Sequence, residues 1–199
     1  MPDKTAPDVR SLESLAFSQG GWFTAADARG HGVSSQLLHH HARTGRFDRV
    51  RRGLYRVHGF PRGPNEELRG HWLAVGGGRA IVSNESALAL LGISDVIPST
   101  SHLLVSRRDR GLRKPEGVTI HTHPGDRPVA TVWRDGMPVT APARTLVDVA
   151  ATLQPDQLEA AVVAAIDRGL ATQSGIELEA RGRPRSRVIT ELLRNRRAG

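Results

Sequence analysis

Arg46, Arg49, Arg51, Arg52 and Arg56 crowd one short stretch of the chain, and Asp48 is the only carboxylate among them. Guanidinium groups at that density suit phosphate oxygens, because they stay charged and donate in a planar fork. Such contacts fix affinity and register on a duplex without choosing sequence. Just upstream, Ser35, Gln36, His39, His40 and Arg43 recur at spacings that place them roughly on one side of a helix. Gln and Arg bond bidentately to adenine and guanine edges, and Ser and His can donate to bases or phosphates. Ser34, Leu38 and His41 or Ala42 fall on the other side, which would pack inward.

Other chemistries find little support. Consecutive helical residues point about 100° apart, so His39, His40 and His41 cannot chelate one ion together. His121 and His123 would share a strand face, but a metal would need a third ligand from elsewhere. There is no cysteine, which excludes disulfide scaffolds, thiolate metal sites and thiol catalysis. The chain has no Gly-Lys pair of a P-loop, no Gly-x-Ser-x-Gly elbow and no Glu-x-Lys pair. The triple glycine at 76–78 lacks a Gly-x-Gly-x-x-Gly frame and reads as a helix end. The expectation is a binding protein with no catalytic residues, no metal and no cofactor.

The elements that must hold these groups are short. Residues 8–18, with Leu12, Leu15 and Ala16, read as an amphipathic helix ended by Gly20-Gly21. Thr24 caps a second helix over 25–29, and Ser34 opens a third over 35–44 that Gly45 closes. Strands over 46–51 and 54–57 flank a tight turn at Arg52-Gly53. Period-two alternation would put Arg49 and Arg51 on one side, with Arg52 at the tip. Three short helices and a β-hairpin form the winged helix-turn-helix plan. Residues 59–64 hold two glycines and two prolines and read as a linker.

Beyond it, the pattern predicts helices over 65–75, 83–91, 140–153, 155–168 and 186–197, with strands over 102–106, 118–123 and 130–134. Asp135-Gly136 is a hairpin signal. Arg144 and Asp148 stand at i and i+4, where they can pair. The expected fold is α+β, with an N-terminal winged helix-turn-helix domain at 1–63 followed by a mixed α/β C-terminal domain at 64–199.

Composition agrees with this reading. The 199 residues are 38% hydrophobic but only 4% aromatic, so the core must be largely aliphatic. The net charge is +8, and it is segregated. Residues 1–63 carry 10 basic against 5 acidic groups, 141–180 carry 2 against 6, and 181–199 carry 7 against 1. A basic cluster at Arg107, Arg108, Arg110, Arg113 and Lys114 could extend a nucleic-acid footprint or meet an acidic partner, and Arg181, Arg183, Arg185 and Arg187 could form a phosphate-binding arm. No apolar run approaches membrane-spanning length, and residues 1–10 carry no secretory pattern, so a cytoplasmic protein without membrane association is expected.

These residues resemble a known family. Gly20-Gly21-Trp22-Phe23-Thr24, Gly32-Val33-Ser34, Leu38, Gly45-Arg46-Phe47 and Arg52-Gly53-Leu54-Tyr55-Arg56 are similar to the N-terminal domain of AbiEi-type antitoxins of abortive-infection toxin–antitoxin systems. The likeness continues through Val139-Thr140-Ala141-Pro142-Ala143-Arg144-Thr145-Leu146-Val147-Asp148 and Ile166-Asp167-Arg168-Gly169-Leu170, covering about residues 10–180. His41 departs from it, since the family usually has an apolar residue there. The resemblance implies a head that binds double-stranded operator DNA and represses its own operon. It also implies a body that counters a cognate nucleotidyltransferase-like toxin. Some relatives carry an extra endonuclease-like C-terminal domain, and this chain ends where one would begin.

The candidate DNA-binding set is therefore Ser35, Gln36, His39, His40, Arg43, Arg46, Arg49, Arg51, Arg52 and Tyr55. Two other readings stay open: a winged-helix transcription regulator whose body senses a small molecule, and an antitoxin that enzymatically modifies its toxin. The operator sequence and the oligomeric state are not legible in the residues.

Overall fold

The computed structural model describes residues 6–125, 128–183 and 186–198. The chain divides into two compact units, Met1–Gly78 and Arg79–Gly199.

The first unit begins with α1 (Val9–Ser18), where Asp8 accepts from the Ser11 amide at 2.9 Å and Leu12 and Ala16 are buried. A short strand, β1 (Trp22–Thr24), follows. Next comes α2 (Ala25–Gly30), held by a reciprocal cap. The Asp27 amide donates to the Thr24 hydroxyl at 3.1 Å, and the Thr24 amide donates to the Asp27 carboxylate at 2.7 Å. Then comes α3 (Ser35–Arg43), with the Ser34 hydroxyl accepting from the Leu37 amide at 3.2 Å. The wing is β2 (Phe47–Arg51) and β3 (Leu54–Val57), and the antiparallel sheet runs β1-β3-β2.

Helix–strand–helix–helix–hairpin is the winged helix-turn-helix order, and β1 is the one piece of it that local sequence did not reveal. Its three residues pair as a strand with Leu54–Arg56, far along the chain. The core between helices and sheet holds Leu12, Ala16, Phe23, Ala28, Val33, Leu38, Phe47 and Tyr55. Phe23 meets Phe47 edge-on at 4.8 Å and stacks on Tyr55 at 5.7 Å.

The linker over 59–64 has no regular structure, but it is fastened to the head. Arg56, buried in β3, donates to the carbonyls of Phe60 at 2.6 Å and Pro61 at 2.9 Å. Its guanidinium lies over the rings of Trp22 and Phe60 and stands 3.3 Å from Glu66. Gly21 fits this arrangement: its φ is +87°, and a Cβ there would stand 2.6 Å from the Phe60 ring. The next helix, α4 (Glu66–Val75), belongs to the first unit and packs on β1 and β3. Gly70 lets it approach, since a Cβ there would come within 3.1 Å of the Trp22 ring.

The second unit is built on a five-stranded mixed sheet. Its strands are β4 (Ala80–Val82), β5 (Ser101–Ser106), β6 (Val118–His123), β7 (Thr131–Arg134) and β8 (Met137–Thr140), in the order β6-β5-β4-β8-β7. β5 and β6 pair in parallel, as do β4 and β8; the other pairs are antiparallel. Around it lie α5 (Asn84–Leu91), α6 (Pro142–Val149), α7 (Pro155–Asp167), α8 (Gln173–Ala180) and α9 (Arg187–Ala198). The core is aliphatic, as composition required: Val82, Leu88, Leu103, Val105, Val139, Leu146, Leu158, Ile176 and Ile189 are buried. The fold is thus α+β, with a winged-helix head and a mixed α/β second unit. Among the described residues no helix is long and apolar enough to cross a membrane.

Candidate nucleic-acid interface

The helix that would read bases is set by its own cap and by one buried leucine. Leu38 is 3% exposed and anchors α3 to the core, while Ser35, Gln36, His39, His40 and Arg43 are all exposed. The inward side departs from expectation at two points. Ser34 stays exposed as the cap, and His41 is only half-buried. The His41 ring packs edge-on against Phe47 at 5.5 Å, with Nε2 buried and without a hydrogen-bond partner. Burial, and then the Arg46 cation, push its pKa below the ordinary histidine value.

The wing arginines separate into distinct roles. Arg49 and Arg52 are exposed. Arg46 is exposed too, but Glu13 on α1 takes its guanidinium in a forked pair at 2.8 and 3.0 Å. That pair pulls the Glu13 carboxyl below its usual range. Arg56 is the buried strut described above. Asp48, the wing's one carboxylate, stands 2.9 Å from the His58 ring.

Arg51 leaves the side it was expected to share with Arg49. The β2–β3 register shifts between them: Arg49 lies opposite Tyr55, whereas Arg51 lies opposite Leu54. Tyr55 and Leu54 are adjacent on a strand and point to opposite faces. The extra residue, Val50, is a bulge that turns Arg51 away from the helix side of the sheet. There it meets α4, with Nη2 3.0 Å from Nε2 of His71. Tyr55 itself is 8% exposed, its ring stacked in the core on Phe23, so it offers nothing to a groove. Strand alternation explains this, since Tyr55 shares the core face with its ladder partner Phe23.

The structure therefore brings Ser35, Gln36, His39, His40, Arg43, Arg49 and Arg52 to the surface of the head. It ties Arg46 and Arg51 to neighbours and buries Tyr55. His71, on a helix placed beyond the head by sequence, was missed. Its only local signal was Glu67 four residues earlier on the same helix face.

Residues 10–58 match the family model described as "Transcriptional regulator, AbiEi antitoxin", and residues 80–194 match "AbiEi antitoxin C-terminal domain". The chain belongs to the AbiEi antitoxin family. Among solved structures, the RV2827C protein from Mycobacterium tuberculosis shares the fold, with a TM-score of 0.55 and 17% identity over 97% of this chain and 80% of that one. No curated protein matches the chain.

The second-unit stretches that carry the AbiEi likeness do structural work here. Arg144 donates to Asp148 at 2.6 Å, one helical turn away. Burial nevertheless holds the Asp148 carboxyl above its usual range, with Arg144 opposing the shift. Thr140 and Thr145 join hydroxyls at 2.7 Å inside the core. Arg168 donates to the carbonyls of Gly92 and Leu91 and so closes the C-terminus of α5, where a cation also suits the helix dipole.

The cluster Arg107, Arg108, Arg110, Arg113 and Lys114 is exposed between β5 and β6. In the tail, Arg183 pairs with Glu179 and Arg187 with Glu191, Arg181 is exposed, and Arg185 lies outside the described residues. His121 bonds His102 at 3.1 Å, with the two rings stacked, rather than gathering ligands with His123. Among the described residues no three metal-ligating side chains converge.

Proposed function

We propose that this AbiEi-family protein represses its own operon by gripping duplex DNA with the head, and neutralises a nucleotidyltransferase-like toxin with the second unit by binding rather than catalysis. The observation that carries the reading is the composition of one exposed set. On α3 it offers Gln36 and Arg43, which suit base edges, with Ser35, His39 and His40 beside them. On the wing it offers Arg49 and Arg52, which suit phosphates. The cap, the capping box and the aromatic core hold these elements rigid, so little order is lost on docking. The family assignment of residues 10–58 as a transcriptional regulator supports the DNA role, and that of 80–194 supports the antitoxin role.

The test has two arms. Purified protein should retard duplex DNA from upstream of its own gene in a gel-shift assay at moderate salt. Co-expression should rescue cells from the toxin encoded beside it, with the toxin's mass unchanged after incubation with the antitoxin and nucleotide. Absence of any shift refutes the repressor role, and a mass increase on the toxin refutes neutralisation by binding alone.

A further inference from the structure

We propose that His71 is a positioning residue for DNA binding: it fixes the Arg51 guanidinium, and through it the orientation of the wing tip that carries Arg52. The inference rests on the DNA-binding reading and adds a group from α4 to it.

The geometry defines the proton state. A guanidinium can only donate, so His71 Nε2, 3.0 Å from Arg51 Nη2, must offer its lone pair. The ring is therefore neutral and carries its proton on Nδ1. It is 2% exposed, so the bond is shielded from competing water. Arg51 follows the bulge at Val50 and is the last residue of β2, and the exposed Arg52 comes next. Bulged strands bend and twist locally. The bond to α4 ties down the end of this one, and so limits how far the tip can swing before it meets a phosphate.

The surroundings keep the ring neutral. Burial pushes the His71 pKa down, the Arg51 cation pushes it further, and Glu67 on the same helix opposes them at 3.9 Å from Nε2. Among the described residues, β1 has no titratable side chain; on β3, Tyr55 faces the core and Arg56 is paired with Glu66; and on β2, Asp48, opposite Arg56 in the ladder, is paired with His58. A protonated ring would set N–H against N–H and cation against cation at the same contact. His71 has a lowered folded-state pKa, so the bond is fully present above the ordinary histidine value. It is lost as pH falls through the lower folded value.

The experiment uses the full chain and upstream duplex DNA, with affinity read by fluorescence anisotropy between about pH 5 and 8. His71→Gln keeps a neutral acceptor, whereas His71→Leu removes it. At the alkaline end His71→Gln should bind like the wild type, and His71→Leu should bind about three- to tenfold more weakly. On acidification the wild type should weaken by a similar factor relative to His71→Gln. That ratio cancels whatever the rest of the molecule, identical in the two proteins, contributes to the pH profile. Even if His71→Leu fails to fold, the wild-type to His71→Gln ratio still decides the matter.

A ratio that stays flat across the range, while the wild type binds DNA, overturns the inference and leaves the DNA reading standing. A wild type that binds no DNA at any pH overturns both. In that case the His71 titration, followed by NMR, should still move upward in Arg51→Gln and isolate the structural bond from its function.

Discussion

Arg49 and Arg52 are the wing cations the fold leaves exposed without an ion pair among the described residues, and this makes a sharp prediction. Neutralising both, as Arg49→Ala with Arg52→Ala, should remove two phosphate contacts. Each contact released on duplex DNA contributes roughly 0.9 to the slope of log affinity against log salt, so the slope should flatten by about 1.8. Carried to physiological salt, that corresponds to roughly a 30-fold loss, or about 2 kcal/mol. The loss should be nearly the same for operator and random duplexes, because backbone contacts carry no sequence information.

The control is Arg46→Ala. Its charge is already matched by Glu13 in a forked pair, so removing it should change the slope by much less than one contact. Anisotropy titrations at several salt concentrations would measure all three proteins. If Arg46→Ala flattened the slope as much as one of the exposed pair, or if the double variant kept the wild-type slope, the division of the wing arginines into internally engaged and exposed groups would be wrong.

Two further outcomes follow from α3. Gln36→Ala and Arg43→Ala should each cost roughly 1–3 kcal/mol on the operator and far less on random DNA, and equal losses on both would contradict base reading by this helix. His41→Leu should stabilise the head by about 1 kcal/mol in urea denaturation, by removing a buried nitrogen that has no partner. Because the His41 pKa is lowered on folding, its neutral packing contributes fully above the ordinary histidine value and is lost as pH falls through the folded one. The leucine variant should therefore also keep its stability further into acid, and parallel pH profiles would refute the assignment.

What sequence revealed and what it hid follow one physical division. The helices were legible because their signals are local: Ser34 and Thr24 are caps, and Leu12 and Ala16 mark a stripe. The three-residue β1 was not, because its pairing is with β3, far along the chain. The bulge at Val50 was also hidden, since valine suits an ordinary strand and only the observed register displaces it. That single extra residue undid the expected alignment of Arg49 with Arg51. α8 escaped notice because its eight residues bury only Ile176 and Ala180. On α3, the exposure of Ser35, Gln36, His39, His40 and Arg43 follows from spacing on a capped helix, whereas Ser34 and His41 depart from it. The arginines read less well because charge alone does not say which cations are already spoken for.

That distinction changes what the basic head means. Five arginines in one hairpin suggest a surface that binds any polyanion tightly, yet the fold engages Arg46, Arg51 and Arg56 internally. Arg46 ties the wing's root to α1, Arg51 ties its end to α4, and Arg56 ties the following segment to the sheet. These bonds brace the wing from separate sides, and a braced wing loses less freedom on docking than a floppy one. On the proposed DNA-binding reading, three of the five wing arginines stiffen the head, and Arg49 and Arg52 supply the indiscriminate grip. A protein so arranged should bind random DNA weakly and draw its discrimination from Gln36 and Arg43. Those are the properties a repressor of a single operon requires when non-specific sites vastly outnumber its own.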